Sequence, residues 1–207
     1  MFQDRLAALE GAQACLATSS GMSAIFTCCL GLVNAGDHIL ASQSIFGATL
    51  QLFNNILARF GVETTYVDAT DPEAWAREMR DNTRLLFVET PSNPTAEIAD
   101  IAALKAVSSA RNALLVVDNC LCTPALQRPF ELGADIVIHS ATKFLDGQGR
   151  VMGGAILGDG PLIADTPAPV LRTAGPSPSP FNRWVLSQGP APLPLPLPLT
   201  RIPGPVF

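Results

Sequence analysis

Residues 114–118 carry the sequence Leu114-Leu115-Val116-Val117-Asp118, in which four consecutive apolar residues precede an acid. A strand that is covered on one face alternates apolar and polar residues, whereas this run is apolar on both faces. Such strands are typical of parallel sheets with helices on both sides. The run therefore predicts a central strand of an α/β sheet, with Asp118 at its carboxyl end.

Short apolar runs alternate with longer stretches of helical periodicity along the first 160 residues. The predicted strands cover residues 38–41, 64–68, 85–89, 114–118, 136–139 and 154–157, and the predicted helices cover 21–33, 46–60, 72–81 and 101–109. Because strands and helices of these lengths alternate, the sequence predicts an α/β fold with a mostly parallel sheet.

Composition restricts the class of protein. Of 207 residues, 48% are apolar and 15% are charged, and the net charge is −5. A chain with this much to bury is not disordered, and an acidic chain without a basic stripe is not expected to bind nucleic acid. We find neither a signal peptide nor an apolar stretch of the ~18 residues that a membrane span needs. We therefore expect a soluble, cytoplasmic protein with no membrane partner.

Proline content divides the chain near residue 160. Thirteen of the 18 prolines lie between Pro161 and Pro205, and residues 190–198 alternate proline with alanine or leucine. This alternation excludes a helix and is typical of polyproline II. We predict a folded unit over residues 1–160 and an irregular, Pro-rich tail over residues 161–207.

Polar residues follow several predicted strands. These stretches are Glu-Thr-Pro-Ser-Asn-Pro at 89–94, Asp-Asn at 118–119 and His-Ser-Ala-Thr-Lys at 139–143. In parallel sheets, ligands collect at the carboxyl ends of strands. A further stretch, Thr-Ser-Ser-Gly-Met-Ser-Ala at 18–24, opens a predicted helix whose free N–H groups favour a phosphate. Taken alone, such a stretch is more often a simple N-cap. The five cysteines and two histidines have no metal-ligand spacing, so we expect no metal site.

Taken together, these residues suit pyridoxal phosphate (PLP). A phosphate cradle, a lysine beside two hydroxyls and an aspartate on a neighbouring strand are the groups that bind this cofactor and tune it. Lys105 and Lys143 are the two lysines of the chain, and Lys143 follows the hydroxyls. The alternatives are a surface role for Lys143 and a merely structural strand end at Asp118.

Four motifs in order resemble the Cys/Met-metabolism PLP-dependent enzymes. They are Ser-Ser-Gly-Met at 19–22, Glu-Thr-Pro-Ser-Asn-Pro at 89–94, Val-Asp-Asn-x-x-Cys-Thr-Pro at 117–124 and His-Ser-Ala-Thr-Lys-Phe-Leu-Asp-Gly at 139–147. The resemblance covers about residues 2–186 and implies a three-layer α/β/α domain like the large domain of fold-type I PLP-dependent transferases. Residues 44–47 and 127–135 are most similar to members that act on O-succinylhomoserine.

The resemblance also implies residue roles. Lys143 would bind the cofactor covalently and act as the catalytic base, and Asp118 would hold the pyridine nitrogen protonated. The other implied cofactor contacts are phosphate binding by Gly21, Met22, Ser140 and Thr142, a position near the phenolic oxygen for Asn93, and ring stacking by Phe46.

The implied reaction is γ-replacement on an O-acylhomoserine with sulfide. Phe46 stands where many relatives have a tyrosine, and it lacks the hydroxyl that the lyases use, which favours this reaction. γ-Synthase or γ-lyase chemistry is the alternative within the family. Cys120 and Leu121 are milder departures behind the aspartate. Family members are longer homo-oligomers, with an N-terminal arm and a C-terminal domain that we do not find. We therefore expect a truncated chain, and an inactive fragment that binds only PLP or a full-length subunit is the alternative.

Overall fold

In the computed structural model, which describes residues 1–188, seven strands form one sheet. The strands are β1 (Ala14–Thr18), β2 (His38–Ser42), β3 (Glu63–Val67), β4 (Thr83–Glu89), β5 (Leu114–Asp118), β6 (Ile136–Ser140) and β7 (Gly154–Gly158). Their order across the sheet is β1-β7-β6-β5-β4-β2-β3. Neighbours from β3 to β6 are parallel, whereas β7 runs antiparallel to both β6 and β1.

Helices cover both faces of the sheet. They are α1 (Phe2–Glu10), α2 (Gly21–Leu32), α3 (Gly47–Gln51), α4 (Pro72–Glu78), α5 (Ile101–Ser109), α6 (Thr123–Leu126), α7 (Gly160–Asp165), α8 (Pro167–Ala174) and α9 (Pro180–Gln188). A π-helical turn (Leu52–Ile56) and a 3-10 turn (Leu57–Phe60) continue α3, a second 3-10 turn covers Pro129–Leu132, and a second π-helical turn (Ala141–Leu145) follows β6. No helix within residues 1–188 is both long and apolar enough to cross a membrane.

Strand β5 shows why the sheet needs helices on both sides. Leu115 and Val117 are fully buried in the core beneath α1, α4 and α5, and Val116 is fully buried in the core beneath α2 and α3. Each core also holds large aromatic side chains, Trp75 in the first and Phe53 in the second. The α/β/α architecture is confirmed.

The predicted elements agree with the observed ones where the pattern is local. Strand β5 and helix α5 have the predicted bounds, and the other predicted strands differ by one or two residues at their ends. The predicted helix over 46–60 changes to π and 3-10 geometry after Gln51, and the predicted helix over 72–81 ends at Glu78. Strand β1 was not predicted.

The prediction of an irregular tail is wrong for residues 161–188. This segment forms most of α7, all of α8 and all of α9, and Leu171, Val185 and Leu186 are buried. Prolines lie in the first turn of each helix, where their missing N–H costs no hydrogen bond and their fixed φ suits the helix. The predicted polyproline stretch at 190–198 lies outside the described residues, and the division of the chain near residue 160 stays a prediction.

Candidate active site

Strands β4, β5 and β6 end at the same edge of the sheet because they are parallel. Glu89 is paired with Asp118, and Asp118 is paired with Ile138, two residues before Ser140. A cavity of about 200 Å³ opens at this edge. Its lining is Ser20, Gly21, Met22, Ile25, Phe46, Glu89, Asp118, Cys120, Ser140, Thr142, Lys143 and Met152. The fold thus brings together seven of the eight residues predicted for the site.

Helix α2 points its N-terminus at the cavity. The Ser20 hydroxyl accepts a hydrogen bond from the Ser23 N–H at 3.1 Å, and the Ser23 hydroxyl accepts one from the Ser20 N–H at 2.8 Å. This capping pair leaves the N–H groups of Gly21 and Met22, in the first turn, with no intrahelical acceptor. Such N–H groups at a helix start favour an anion.

The backbone at Gly21 lies against Ser140. A Cβ atom at position 21 would lie 2.6 Å from the Ser140 Cβ and 2.9 Å from its hydroxyl oxygen. Only glycine permits this approach. The approach places the Ser140 hydroxyl beside the start of α2, so both can contact one anion.

Lys143 lies in the π-helical turn after β6. Its backbone has φ −94° and ψ −120°, which is not helical, and its Nζ lies 5.1 Å from the centroid of the Phe46 ring. Within residues 1–188 it forms no salt bridge. The neighbouring Thr142 hydroxyl donates to the Gly153 carbonyl at 3.2 Å and accepts from its N–H at 3.1 Å. Thr142 therefore lines the cavity with a hydroxyl that already has protein partners.

Asp118 is a buried carboxyl group at the end of β5. Only 5% of it is exposed, and its Oδ1 accepts a hydrogen bond from the Cys120 N–H at 3.1 Å. Burial raises the pKa of Asp118, while the Cys120 hydrogen bonds and the electrostatic effects of His139 and Lys143 oppose the rise. A buried carboxylate without a salt bridge in the described chain is suited to receive a cationic N–H from a ligand.

Glu89 is a site residue to which the sequence analysis gave no role. Its Oε2 accepts a hydrogen bond from the Phe46 N–H at 2.7 Å. Burial and the neighbouring Asp118 raise the pKa of Glu89 to about 8. The strand-end stretch at 89–94 marked its position, but the rise in its pKa comes from burial and from the neighbouring Asp118, and the Phe46 N–H opposes it.

Asn93 is the one predicted residue that does not line this cavity. It lines a neighbouring cavity of about 660 Å³, together with Leu121, Phe144, Thr142 and Lys143. Thr142 and Lys143 line both cavities. The predicted contact between Asn93 and the phenolic oxygen of the cofactor therefore stays a prediction.

The residues that line the first cavity fit PLP. The N-terminus of α2 and the Ser140 hydroxyl suit its phosphate, the Asp118 carboxylate suits its ring nitrogen, and the Lys143 amine suits its aldehyde. Within residues 1–188 no group of three or more His, Cys, Asp or Glu side chains is placed to hold a metal ion.

Comparisons with known proteins agree with this fit. The family described as Cys/Met metabolism PLP-dependent enzyme matches residues 1–197. The chain is 53% identical over 188 residues to the O-succinylhomoserine sulfhydrylase of Pseudomonas aeruginosa, covering 91% of this chain and 46% of that protein. It is 40% identical over 190 residues to the L-methionine gamma-lyase of Treponema denticola, covering 90% of this chain and 47% of that protein.

The solved structures show the same fold. The crystal structure of metB from Corynebacterium glutamicum matches with a TM-score of 0.91 and 36% identity, over 94% of this chain and 50% of that one. The fold and the site therefore define a fold-type I domain of a PLP-dependent enzyme. The chain belongs to the Cys/Met metabolism PLP-dependent enzyme family, and pyridoxal phosphate is its cofactor. The chain spans about half the length of the curated relatives it matches.

Proposed function

We propose that the chain carries the cofactor site of an enzyme that performs γ-replacement in methionine biosynthesis. The reaction converts O-succinylhomoserine and sulfide into homocysteine and succinate. The sequence identity to the P. aeruginosa enzyme supports this choice of substrate. The observation that carries it is the Phe46 ring, which lies beside the Lys143 Nζ and has no hydroxyl.

PLP, when bound, supplies an electron-accepting ring that stabilises negative charge at the substrate α-carbon. The Lys143 Nζ would remove the α-proton, and the Asp118 carboxylate would accept a hydrogen bond from the ring nitrogen. The Gly21 and Met22 N–H groups and the Ser140 hydroxyl would hold its phosphate, and Thr142 would complete this phosphate seat. Asn93 would contact its phenolic oxygen.

The γ-carbon step then exchanges one bond for another. A proton leaves the β-carbon, the bond between the γ-carbon and the ester oxygen breaks, and succinate leaves with the electron pair. The sulfur of hydrogen sulfide anion then forms the new C–S bond at the γ-carbon. The protons taken from the β-carbon and the α-carbon return to these atoms, the latter from the Lys143 amine. No oxidant or reductant is consumed.

The leaving group distinguishes this reaction from γ-lyase chemistry on a thioether. A carboxylate leaves as a weak base, with a pKa of about 4, and needs no acid, whereas a thiolate, with a pKa of about 8.5 or above, is helped by one. The Phe46 ring cannot donate a proton, which favours an ester substrate over a thioether. γ-Lyase chemistry is one alternative, supported by the identity to the T. denticola L-methionine gamma-lyase. γ-Synthase chemistry, which has the same ester leaving group, is the other alternative.

A second candidate from another class is a chain that binds PLP, or a full-length subunit, without turnover. The observation that favours it is length, since the matched region is 46% of the P. aeruginosa enzyme.

We further propose a cytoplasmic homo-oligomer whose ligands are small molecules rather than nucleic acid or membrane. The exposed Phe181 and Trp184 side chains of α9, 64% and 60% accessible, support association.

The test uses residues 1–207 with PLP, sulfide and O-succinylhomoserine. Homocysteine and succinate in equal amounts support the sulfhydrylase proposal, and their formation should vanish in Lys143→Arg and persist in Lys105→Arg. A 2-oxo acid and ammonia in place of homocysteine indicate lyase chemistry. PLP bound at Lys143 with no product supports the inactive-chain candidate. Turnover that survives Lys143→Arg contradicts the proposed site.

A further inference from the structure

A buried hydrogen-bond network lies behind the cofactor cavity. The Glu10 carboxylate, at the end of α1, accepts hydrogen bonds at its Oε1 from the Asn119 Nδ2 and from the His139 Nε2, both at 3.0 Å. The Gln127 amide donates to the Asn119 Oδ1 at 3.0 Å and to the Thr90 carbonyl at 2.8 Å. Glu10, Asn119 and His139 are all fully buried.

This network holds the two strand ends that carry the catalytic groups. Asn119 directly follows Asp118 on β5, and His139 directly precedes Ser140 on β6. The Asn119 N–H also donates to the Ile138 carbonyl at 2.9 Å. Glu10 therefore joins the residue after the ring-nitrogen partner to the residue before the phosphate hydroxyl.

Stability alone does not explain a charged group in this position. Among the described residues, the Glu10 Oε2 and the His139 Nδ1 have no hydrogen-bond partner, although both are buried. A buried ion pair can usually be replaced by apolar residues of similar size without loss of stability. The same sheet shows the contrast, because both ring nitrogens of the buried His38 lie within 2.9 Å of threonine hydroxyls.

The charges of the network act on Asp118. The titratable groups that face this carboxyl group are Glu89, Cys120, His139 and Lys143. The neighbouring His139 opposes the rise in the pKa of Asp118 that burial causes. The Glu10 carboxylate accepts from the His139 Nε2 at 3.0 Å and so holds this ring in place.

We propose that Glu10, His139 and Asn119 form a positioning network that keeps the Asp118 carboxyl group aimed at the ring nitrogen of PLP. The proposal rests on the proposed cofactor site and adds these three residues to it. None of them lines the cavity, so they act through Asp118 rather than on the substrate.

The test compares PLP with its 1-deaza analogue, in which carbon replaces the ring nitrogen. Charge-assisted hydrogen bonds are worth about 1.5–3 kcal/mol, so the wild-type chain should bind PLP roughly 10- to 100-fold more tightly than the analogue. Glu10→Gln keeps the shape and both hydrogen bonds at Oε1 but removes the charge that strengthens them. We expect Glu10→Gln and His139→Gln to reduce this preference to below about threefold, with unchanged affinity for the analogue.

Two variants complete the design. His38→Gln replaces a histidine that is equally buried but lies at the opposite edge of the sheet, and it should keep the wild-type preference. Asp118→Asn should abolish the preference. A wild-type preference in Glu10→Gln and His139→Gln would overturn the proposal, and equal loss of affinity for both ligands would show a structural role instead. Turnover is not measured, so failure of the proposed reaction leaves this readout intact.

Discussion

The two lysines of the chain differ in the side chains that surround their amino groups. Lys105, on α5, donates to both carboxylate oxygens of Asp135 at 2.7 and 2.8 Å, and this carboxylate also accepts from the Leu115 N–H. Lys143 has no acidic partner within residues 1–188 and stands over the Phe46 ring. A lysine that joins two elements is paired, whereas a lysine in a reactive position is left available to a ligand.

The acids around the two lysines differ in the same way. Asp135 is saturated by a cation and a backbone N–H, while Glu89 and Asp118 are buried beside each other with raised pKa values. The edge of the sheet at the cavity therefore holds two buried acids whose ionised forms are disfavoured until a cationic group of a ligand binds. This difference yields predictions that separate the two regions.

The largest effect is expected at the start of α2. Gly21→Ala places a Cβ 2.6 Å from the Ser140 Cβ, so the phosphate seat must open. Overpacking of this kind costs about 1–3 kcal/mol, which predicts a roughly 10- to 100-fold weaker affinity for PLP in an equilibrium titration. Gly160→Ala, at the start of α7, is the matched control, because its new Cβ meets only the Gln13 Oε1 at 3.6 Å. Equal affinities in both variants would contradict a phosphate seat at Gly21.

The next effect is a pH dependence that belongs to Glu89. Since burial raises its pKa from 4.5 to about 8, the folded chain holds a proton that the unfolded chain releases, and stability falls as pH rises through this window. We expect Glu89→Gln to remove about 2 kcal/mol of the loss between pH 6.5 and pH 8, measured by urea denaturation.

The window from pH 6.5 to pH 8 excludes the titration of His38, whose pKa is also strongly shifted. Burial lowers the pKa of His38 to about 4, so that its effect has the opposite sign and is confined to pH below its ordinary value of 6.5. The exposed Glu78→Gln is the control for a loss of one negative charge. If Glu78→Gln and Glu89→Gln have the same pH profile, Glu89 is not the buried acid that the structure describes.

The smallest effect is expected on the paired side. Lys105→Met breaks a half-buried ion pair and leaves Asp135 with its backbone donor, so the free energy of unfolding should fall by about 1 kcal/mol. Cofactor affinity should not change. Arg111→Met breaks the exposed pair with Asp81, 46% and 100% accessible, and should barely alter stability. A loss of cofactor affinity in Lys105→Met would remove the distinction between the two lysines.

The sequence predicted best those strands and helices that a local pattern of residues determines. The unbroken apolar run at 114–117 defined β5 because burial on both faces is visible in consecutive residues. Strand β1 (Ala14–Thr18) escaped prediction because its pairing with β7 joins residues far apart in the chain. The helices after residue 160 escaped prediction because proline breaks a helix interior, and only the structure shows prolines in first turns.

The site follows the same division. Motif order indicated Lys143, Asp118, Gly21 and Ser140, which the fold brings to one cavity. Glu10 could not be found in this way. A single acid at the end of a short helix is expected to face solvent. Glu10 is instead buried against Asn119 and His139, which lie more than a hundred residues away in the chain.

We propose that Lys143, and not Lys105, is the residue that binds the cofactor. The direct measurement is to add PLP to residues 1–207, reduce with borohydride and map the labelled peptide by mass spectrometry. We expect one pyridoxyl label on Lys143, its loss in Lys143→Arg, and an unchanged label in Lys105→Arg. A label on Lys105, or none on a folded chain, would contradict it.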